Sequence, residues 1–81
     1  MWFVYVLKSI DFPFIYIGST NDLERRLSQH NAGLTQSTTH YAPFKIEAYV
    51  AVSSEMKARE LEKYFKNGSG KAILMKRILD Q

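Results

Sequence analysis

Two short runs of β-branched and aromatic residues, Trp2-Phe3-Val4-Tyr5-Val6-Leu7-Lys8 and Phe14-Ile15-Tyr16-Ile17-Gly18, open this 81-residue chain. Neither has a helical period and the first is apolar on both faces, so both predict strands. Ser9 to Pro13 lie between them, and Pro13 suits a strand start. Sequential strands usually pair, so a hairpin is expected at the N-terminus. A four-residue loop at 9–12 sets Tyr5 opposite Tyr16. A register shift by an even number of residues leaves both tyrosines on one face, whereas an odd slip separates them.

Residues 22–31 predict a helix. Asn21 is placed to cap it, Glu24 completes a capping-box-like pair, and Gly33 supplies the stop. Leu23, Leu27 and His30 share one face. Arg26 lies about 80° from the centre of that face and Arg25 points directly away. Arg26 is therefore expected at the core edge and Arg25 in solvent. Residues 34–43 are polar and hydroxyl-rich and predict a loop. Residues 44–52 alternate, which places Ile46, Ala48, Val50 and Val52 on one face of a third strand. Ser53 or Ser54 starts a helix running to about Lys66, with Ala58, Leu61 and Phe65 as its inner stripe. Glu62 lies about 65° from that stripe and Glu60 about 135°, so Glu62 is the expected half-buried acid. Asn67-Gly68-Ser69-Gly70 predict a break, and a last helix is expected over 71–79 with Ile73, Leu74, Ile78 and Leu79.

The order β-β-α-β-α-α predicts an α+β fold, a small three-stranded, mostly antiparallel sheet flanked by helices. At this length a single domain over residues 1–81 is expected. The hydrophobic fraction of 46% argues against disorder. No cysteine is present, which excludes disulfides, thiolate zinc sites and cysteine nucleophiles. No apolar run approaches the ~18 residues of a membrane span, and Met1–Tyr5 lacks a basic leader region. An intact, cytoplasmic protein is expected.

Eleven Lys and Arg against eight Asp and Glu leave a net charge of +3. Lys57, Arg59, Lys63, Lys66, Lys71, Lys76 and Arg77 cluster towards the C-terminus, opposed there by Glu60 and Glu62 alone. Such a cluster is either a solvated helical face or a phosphate-contacting one.

The residues that stand out are two same-face tyrosines, Arg26 with His30 one turn on, and Glu62. Each has a plain structural reading: cross-strand aromatics, an arginine stem laid along the core, a helix-terminal histidine, and a Glu62–Lys66 pair at i, i+4. Together they suit phosphodiester hydrolysis. That reaction needs an activated water, charge neutralisation on the phosphorus oxygens and help for the leaving group. A lone carboxylate can hold a Mg²⁺ ion that keeps most of its waters. An arginine matches phosphate geometry, and a tyrosine or histidine can take a proton from water.

Tyr16-Ile17-Gly18-Ser19-Thr20-Asn21-Asp22-Leu23-Glu24-Arg25-Arg26-Leu27, then His30, resembles the core of the GIY-YIG nuclease family. Phe3-Val4-Tyr5 stands in for the first motif, eleven residues before Tyr16. Ser37-Thr38, Tyr41-Ala42-Pro43-Phe44 and Glu62-Lys63-Tyr64-Phe65-Lys66 are similar to the short stand-alone bacterial members. The resemblance implies a three-stranded antiparallel sheet flanked by helices. It assigns catalysis to Tyr5, Tyr16, Arg26, His30 and Glu62, with Gly18 as the glycine that lets the backbone turn beneath the site. Glu62 is the implied ligand of one divalent ion, Mg²⁺ or Mn²⁺. Departures from the pattern are Ser19, where many members carry a lysine, and Leu74, where many carry an asparagine; Asn67 is the nearest amide.

The resulting expectation is a metal-dependent endonuclease acting on DNA, with structured or damaged DNA in repair or recombination as its setting. Lys63, Lys66, Lys71 and Ser19 are the nucleic-acid-binding candidates. Binding is expected to be weak and salt-dependent without a separate targeting protein, and a monomer is expected rather than an oligomer. The alternative is a non-catalytic nucleic-acid-binding module, and a third reading is an accessory protein whose basic face meets an acidic partner.

Overall fold

The computed structural model describes residues 1–79. Strand β1 (Trp2–Ser9) lies at the centre of a three-stranded sheet, with β2 (Ile15–Thr20) and β3 (Phe44–Val52) antiparallel on either side. The expected α+β architecture and element order are present. Helices cover both faces: α1 (Leu23–Asn31) on one, α2 (Glu55–Lys66) and α3 (Gly68–Ile73) on the other. No helix among the described residues is long and apolar enough to cross a membrane.

The hairpin forms in a different register from the expected one. The Ser9 N–H donates to the Phe14 carbonyl at 2.9 Å, so the four-residue loop is 10–13 rather than 9–12. Tyr5 consequently stands opposite Gly18, and Tyr16 opposite Leu7. Ser9 holds this closure, because its hydroxyl accepts from the Phe12 N–H (3.1 Å) and donates to the Tyr41 carbonyl (2.6 Å). Phe14 stacks on Tyr41 with ring centres 3.9 Å apart, which also favours the longer strand. The shift is even, so both tyrosines keep a common face.

The third strand departs from simple alternation. Val6 pairs with Ala48 but Leu7 pairs with Ile46, which leaves Glu47 as a bulge. An extra residue on one strand reverses its in–out order. Ala48, Val50 and Val52 therefore pack with Val4 and Val6 against α2 and α3. Phe44 and Ile46 pack with Tyr5 and Leu7 on the α1 side. The single face expected for Ile46 to Val52 is thus split in two.

The cap of α1 is Asp22, not Asn21. Thr20 Oγ1 accepts the Asp22 N–H, and the Asp22 carboxylate accepts the Arg25 N–H at 3.0 Å. Arg25 then occupies the third helical position, so no capping box forms with Glu24; Asn21 instead accepts from Arg25 Nη2. Gly33 ends the helix as expected, at φ 75°, a region that glycine enters without strain. Ser54 caps α2 through the Lys57 N–H. The predicted four-residue break shrinks to Asn67 alone, and α3 starts at Gly68 and continues as a wide π-type turn over Leu74–Ile78. Gly70 makes this packing possible, since a Cβ there would collide with the Tyr64 carbonyl. Of the four apolar residues of this segment, Leu74 and Leu79 are buried and Ile73 and Ile78 are exposed.

Candidate active site

The α1 side of the sheet holds a chain of polar groups inside an otherwise apolar layer. Tyr5, on the central strand, is 2% exposed. Its hydroxyl accepts from Arg26 Nε at 3.2 Å and lies 3.2 Å from His30 Nε2. His30 is fully buried, and its Nδ1 lies 2.8 Å from the Thr38 hydroxyl. Arg26 and His30 reach this point because i and i+4 share a helical face. Arg25 is exposed, so the choice between the two arginines holds.

Tyr16 packs its ring 4.9 Å from that of His30 and 6.3 Å from that of Tyr5. It is only partly buried and lines a cavity of about 230 Å³ with Ile15, Ile17, Lys66 and Lys71. Gly18 is the reason the two tyrosines can approach. A Cβ there would sit 2.5 Å from the Tyr5 hydroxyl and 3.0 Å from the Tyr16 ring. Its backbone is ordinary strand, so space rather than φ demands glycine.

Glu62 lies across the edge strand. Its Oε1 accepts from the Ser19 hydroxyl and its Oε2 from the Lys66 ammonium, each at 2.7 Å. With 22% of its side chain exposed it is half-buried, while Glu60 is exposed. Ser19 adjoins Gly18 but faces the α2 side, so Glu62 borders the tyrosine–arginine group from across the edge strand, and its charge still acts on Tyr5.

The electrostatics follow from burial. Desolvation raises the Tyr5 phenol above its usual value; Arg26 opposes the rise, and the Tyr16 and Glu62 oxygens add to it. Burial lowers His30, and the positive charge of Arg26 lowers it further. The Tyr5 hydrogen bond is the main factor that holds Arg26 more firmly protonated. Near neutral pH the site is therefore a neutral phenol and a neutral imidazole beside a guanidinium.

Of the nucleic-acid-binding candidates, Lys66 and Lys71 border the Tyr16 cavity and Ser19 binds Glu62. Lys63 is elsewhere, on a surface shared with Glu55, Met56, Arg59 and Glu60. Leu74 is 1% exposed and belongs to the core. Asn67 donates to the Lys63 carbonyl rather than reaching the site. Gln29, whose side chain accepts from Arg26 Nη1 at 3.0 Å, has no signal in the sequence, and Thr38 enters there only within the family-like Ser37-Thr38 pair, with no role attached. Thr38 lies in a run of hydroxyl residues with no periodicity to distinguish it.

Among the described residues no three His, Cys, Asp or Glu side chains converge on a metal position. The oxygen donors at Glu62 still suit a hard divalent cation that keeps most of its waters, because Mg²⁺ is commonly held by one or two carboxylates. Lys66 is the cation now on that carboxylate, and exposed i, i+4 pairs of this kind are weak.

A small α+β domain with tyrosines, an arginine and a glutamate around one edge strand has the make-up of a nuclease-type domain. The model of the GIY-YIG catalytic domain matches residues 1–77, and the chain belongs to the GIY-YIG family. Among its relatives is a UPF0213 protein of Nitratidesulfovibrio vulgaris, 47% identical over 45 residues, which are 54% of this chain and 40% of that protein. UPF0213 proteins of Streptococcus pyogenes serotypes M3 and M1 are 37% identical over 65 residues, 79% of this chain and 70% of theirs. The match thus spans well under two thirds of the Nitratidesulfovibrio protein. No solved structure matches the chain.

Proposed function

We propose that the chain is a metal-dependent endonuclease that hydrolyses phosphodiester bonds in DNA. What supports this reading is the Arg26–Tyr5–His30 chain, with Glu62 held at the neighbouring Ser19 of the same edge strand and its charge acting on Tyr5. Arg26, anchored by Nε on Tyr5 and by Nη1 on Gln29, takes the phosphate with a pre-aimed guanidinium. Tyr5 is buried and committed at both ends of its hydroxyl, so it positions Arg26. Tyr16 is the tyrosine that solvent reaches, and it orients the attacking water. His30 holds Tyr5 in place. Glu62 would hold a divalent ion, Mg²⁺ or Mn²⁺, which when bound supplies positive charge against the phosphate and the leaving oxygen.

Lys66 and Lys71 guide the strand along the Tyr16 cavity. Arginine and lysine contacts of this kind go to phosphates, which position the nucleic acid and carry no base information. The proposed substrates are therefore structured or damaged DNA, distinguished by the path of the backbone, as in repair or recombination. Binding of this kind is weak and salt-dependent, and a separate targeting protein would add specificity.

The test is nicking of supercoiled and branched DNA at low salt with Mg²⁺ or Mn²⁺. Wild type should nick only with metal, Glu62→Ala should abolish nicking, and Arg26→Ala should reduce it by about 10²–10³-fold. Cleavage unaffected by both substitutions would end the assignment. A second reading, a non-catalytic nucleic-acid-binding module, is favoured by the Lys66 ammonium already paired with Glu62. Binding without nicking would establish it.

A further inference from the structure

The loop between Leu34 and Pro43 is mostly exposed, yet Thr38 within it has no exposed surface. A small polar residue buried in a loop signals a specific hydrogen-bonding duty. Its Oγ1 lies 2.8 Å from His30 Nδ1 and 3.3 Å from the Thr35 carbonyl oxygen. The carbonyl can only accept; it takes the Thr38 N–H at 3.1 Å, and its second lone pair receives the single hydroxyl proton of Thr38. The Thr38 oxygen then accepts, and His30 Nδ1 must carry the proton that reaches it. A neutral imidazole with Nδ1–H has a bare Nε2, which accepts the Tyr5 hydroxyl proton. Tyr5 is left with lone pairs for the Nε–H of Arg26, a group that can only donate. The hydrogen bonds thus run in one direction, with a pure donor at one end and a pure acceptor at the other. In the reverse direction the Tyr5 oxygen would receive two protons, and its own would be left to seek another acceptor in a buried setting.

We propose that Thr38 is a positioning residue, which holds His30 as the Nδ1–H tautomer through the Thr35 carbonyl, so turns the Tyr5 proton to His30 and leaves the Tyr5 oxygen to hold Arg26 for the scissile phosphate. The role in cleavage rests on the nuclease reading above; the tautomer assignment does not. Around the imidazole stand Tyr5 of β1, Tyr16 of β2, Phe44 of β3, and Arg26 of its own helix. Arg26 is the charged member of this set, and it disfavours a second proton on the ring. Protonation of His30 would place a donor at Nε2 and reverse the Tyr5 hydroxyl, as loss of Thr38 would.

The experiment is ¹⁵N NMR of the histidine side chains in the full chain near pH 7.5, with exposed His40 as internal reference. Wild type should show His30 protonated at Nδ1 and bare at Nε2. Thr38→Ser keeps the hydroxyl and should keep this pattern. Thr38→Val keeps the shape without the hydroxyl, and should shift His30 to the Nε2–H form or a mixture. Nicking by Thr38→Val should fall about tenfold or more, as misplacement of a phosphate-positioning group does, and Thr38→Ser should restore it. Wild-type His30 protonated at Nε2, or Thr38→Val with the wild-type tautomer, would overturn the proposal. If Thr38→Val does not fold, the wild-type and Thr38→Ser spectra decide. A chain that shows the expected tautomers and never nicks DNA would sink the nuclease reading while leaving the Thr38–His30 assignment standing.

Discussion

The two faces of the sheet are built from opposite materials. On the α2–α3 side the fully buried cluster is Val4, Val6, Ile17, Ala58, Phe65, Leu74 and Leu79, with the half-buried Glu62–Ser19 pair at its edge. On the α1 side, buried or half-buried Tyr5, His30, Thr38 and Arg26 form a connected hydrogen-bonded chain. No buried side-chain polar atom among the described residues lacks a partner. The first face draws its stability from area removed from water, which tolerates apolar swaps that conserve volume. The second depends on matched donors and acceptors, where losing one partner exposes the desolvation cost of the other. One strand serves both, because Val4 and Val6 face one way and Tyr5 and Leu7 the other.

This contrast can be broken from either side. The largest stability effect should come from the apolar face. Leu74→Ala should cost about 2–5 kcal/mol, read by urea unfolding, while nicking at low temperature by the folded fraction stays near wild type. Equal loss of nicking per folded molecule would show that the faces are not separable. On the polar face Tyr5→Phe removes one oxygen and leaves Arg26 Nε and His30 Nε2 without their partner. It should cost about 1–3 kcal/mol and also lower nicking. A variant as stable as wild type would mean the chain contributes little to folding.

Acid sharpens the contrast further. His30 is held below its ordinary value near 6.5 in the folded state, so the unfolded chain binds more protons in that range. Stability contributed by neutral His30 is complete above about pH 6.5. It should decline as pH falls below that point towards the lowered folded value. His30→Gln should flatten this part of the thermal-unfolding pH profile, and an unchanged slope would remove His30 as its source. The smallest effect is expected at the surface. Lys66→Ala should change stability by only about 0.3–0.5 kcal/mol, the usual worth of an exposed i, i+4 pair, yet it should weaken DNA binding and flatten its salt dependence.

Much of the layout was legible locally. The strand runs, the α2 cap at Ser54 and the Gly33 stop depend on neighbouring residues. The choices of Arg26 over Arg25 and Glu62 over Glu60 follow from helical angle alone, and the structure places all four as expected. One error came where a distant segment decided. Tyr41 and Phe14 moved the hairpin loop by one residue; two other differences are local, since Thr20 binds the Asp22 N–H and makes Asp22 the cap, and Gly70 leaves room for the Tyr64 carbonyl. The bulge at Glu47 has no marker in the alternating run that contains it.

The sequence by itself determined the elements, their order and which side chains stand at each helix edge, because these depend on contacts within a few residues. Only the tertiary structure decided that Gly18 lies beneath the Tyr5 hydroxyl, that Ser19 meets Glu62 across 43 positions, and that Thr38 closes on His30. Those pairings depend on strand register and loop path, and the balance of packing over the whole sheet sets both.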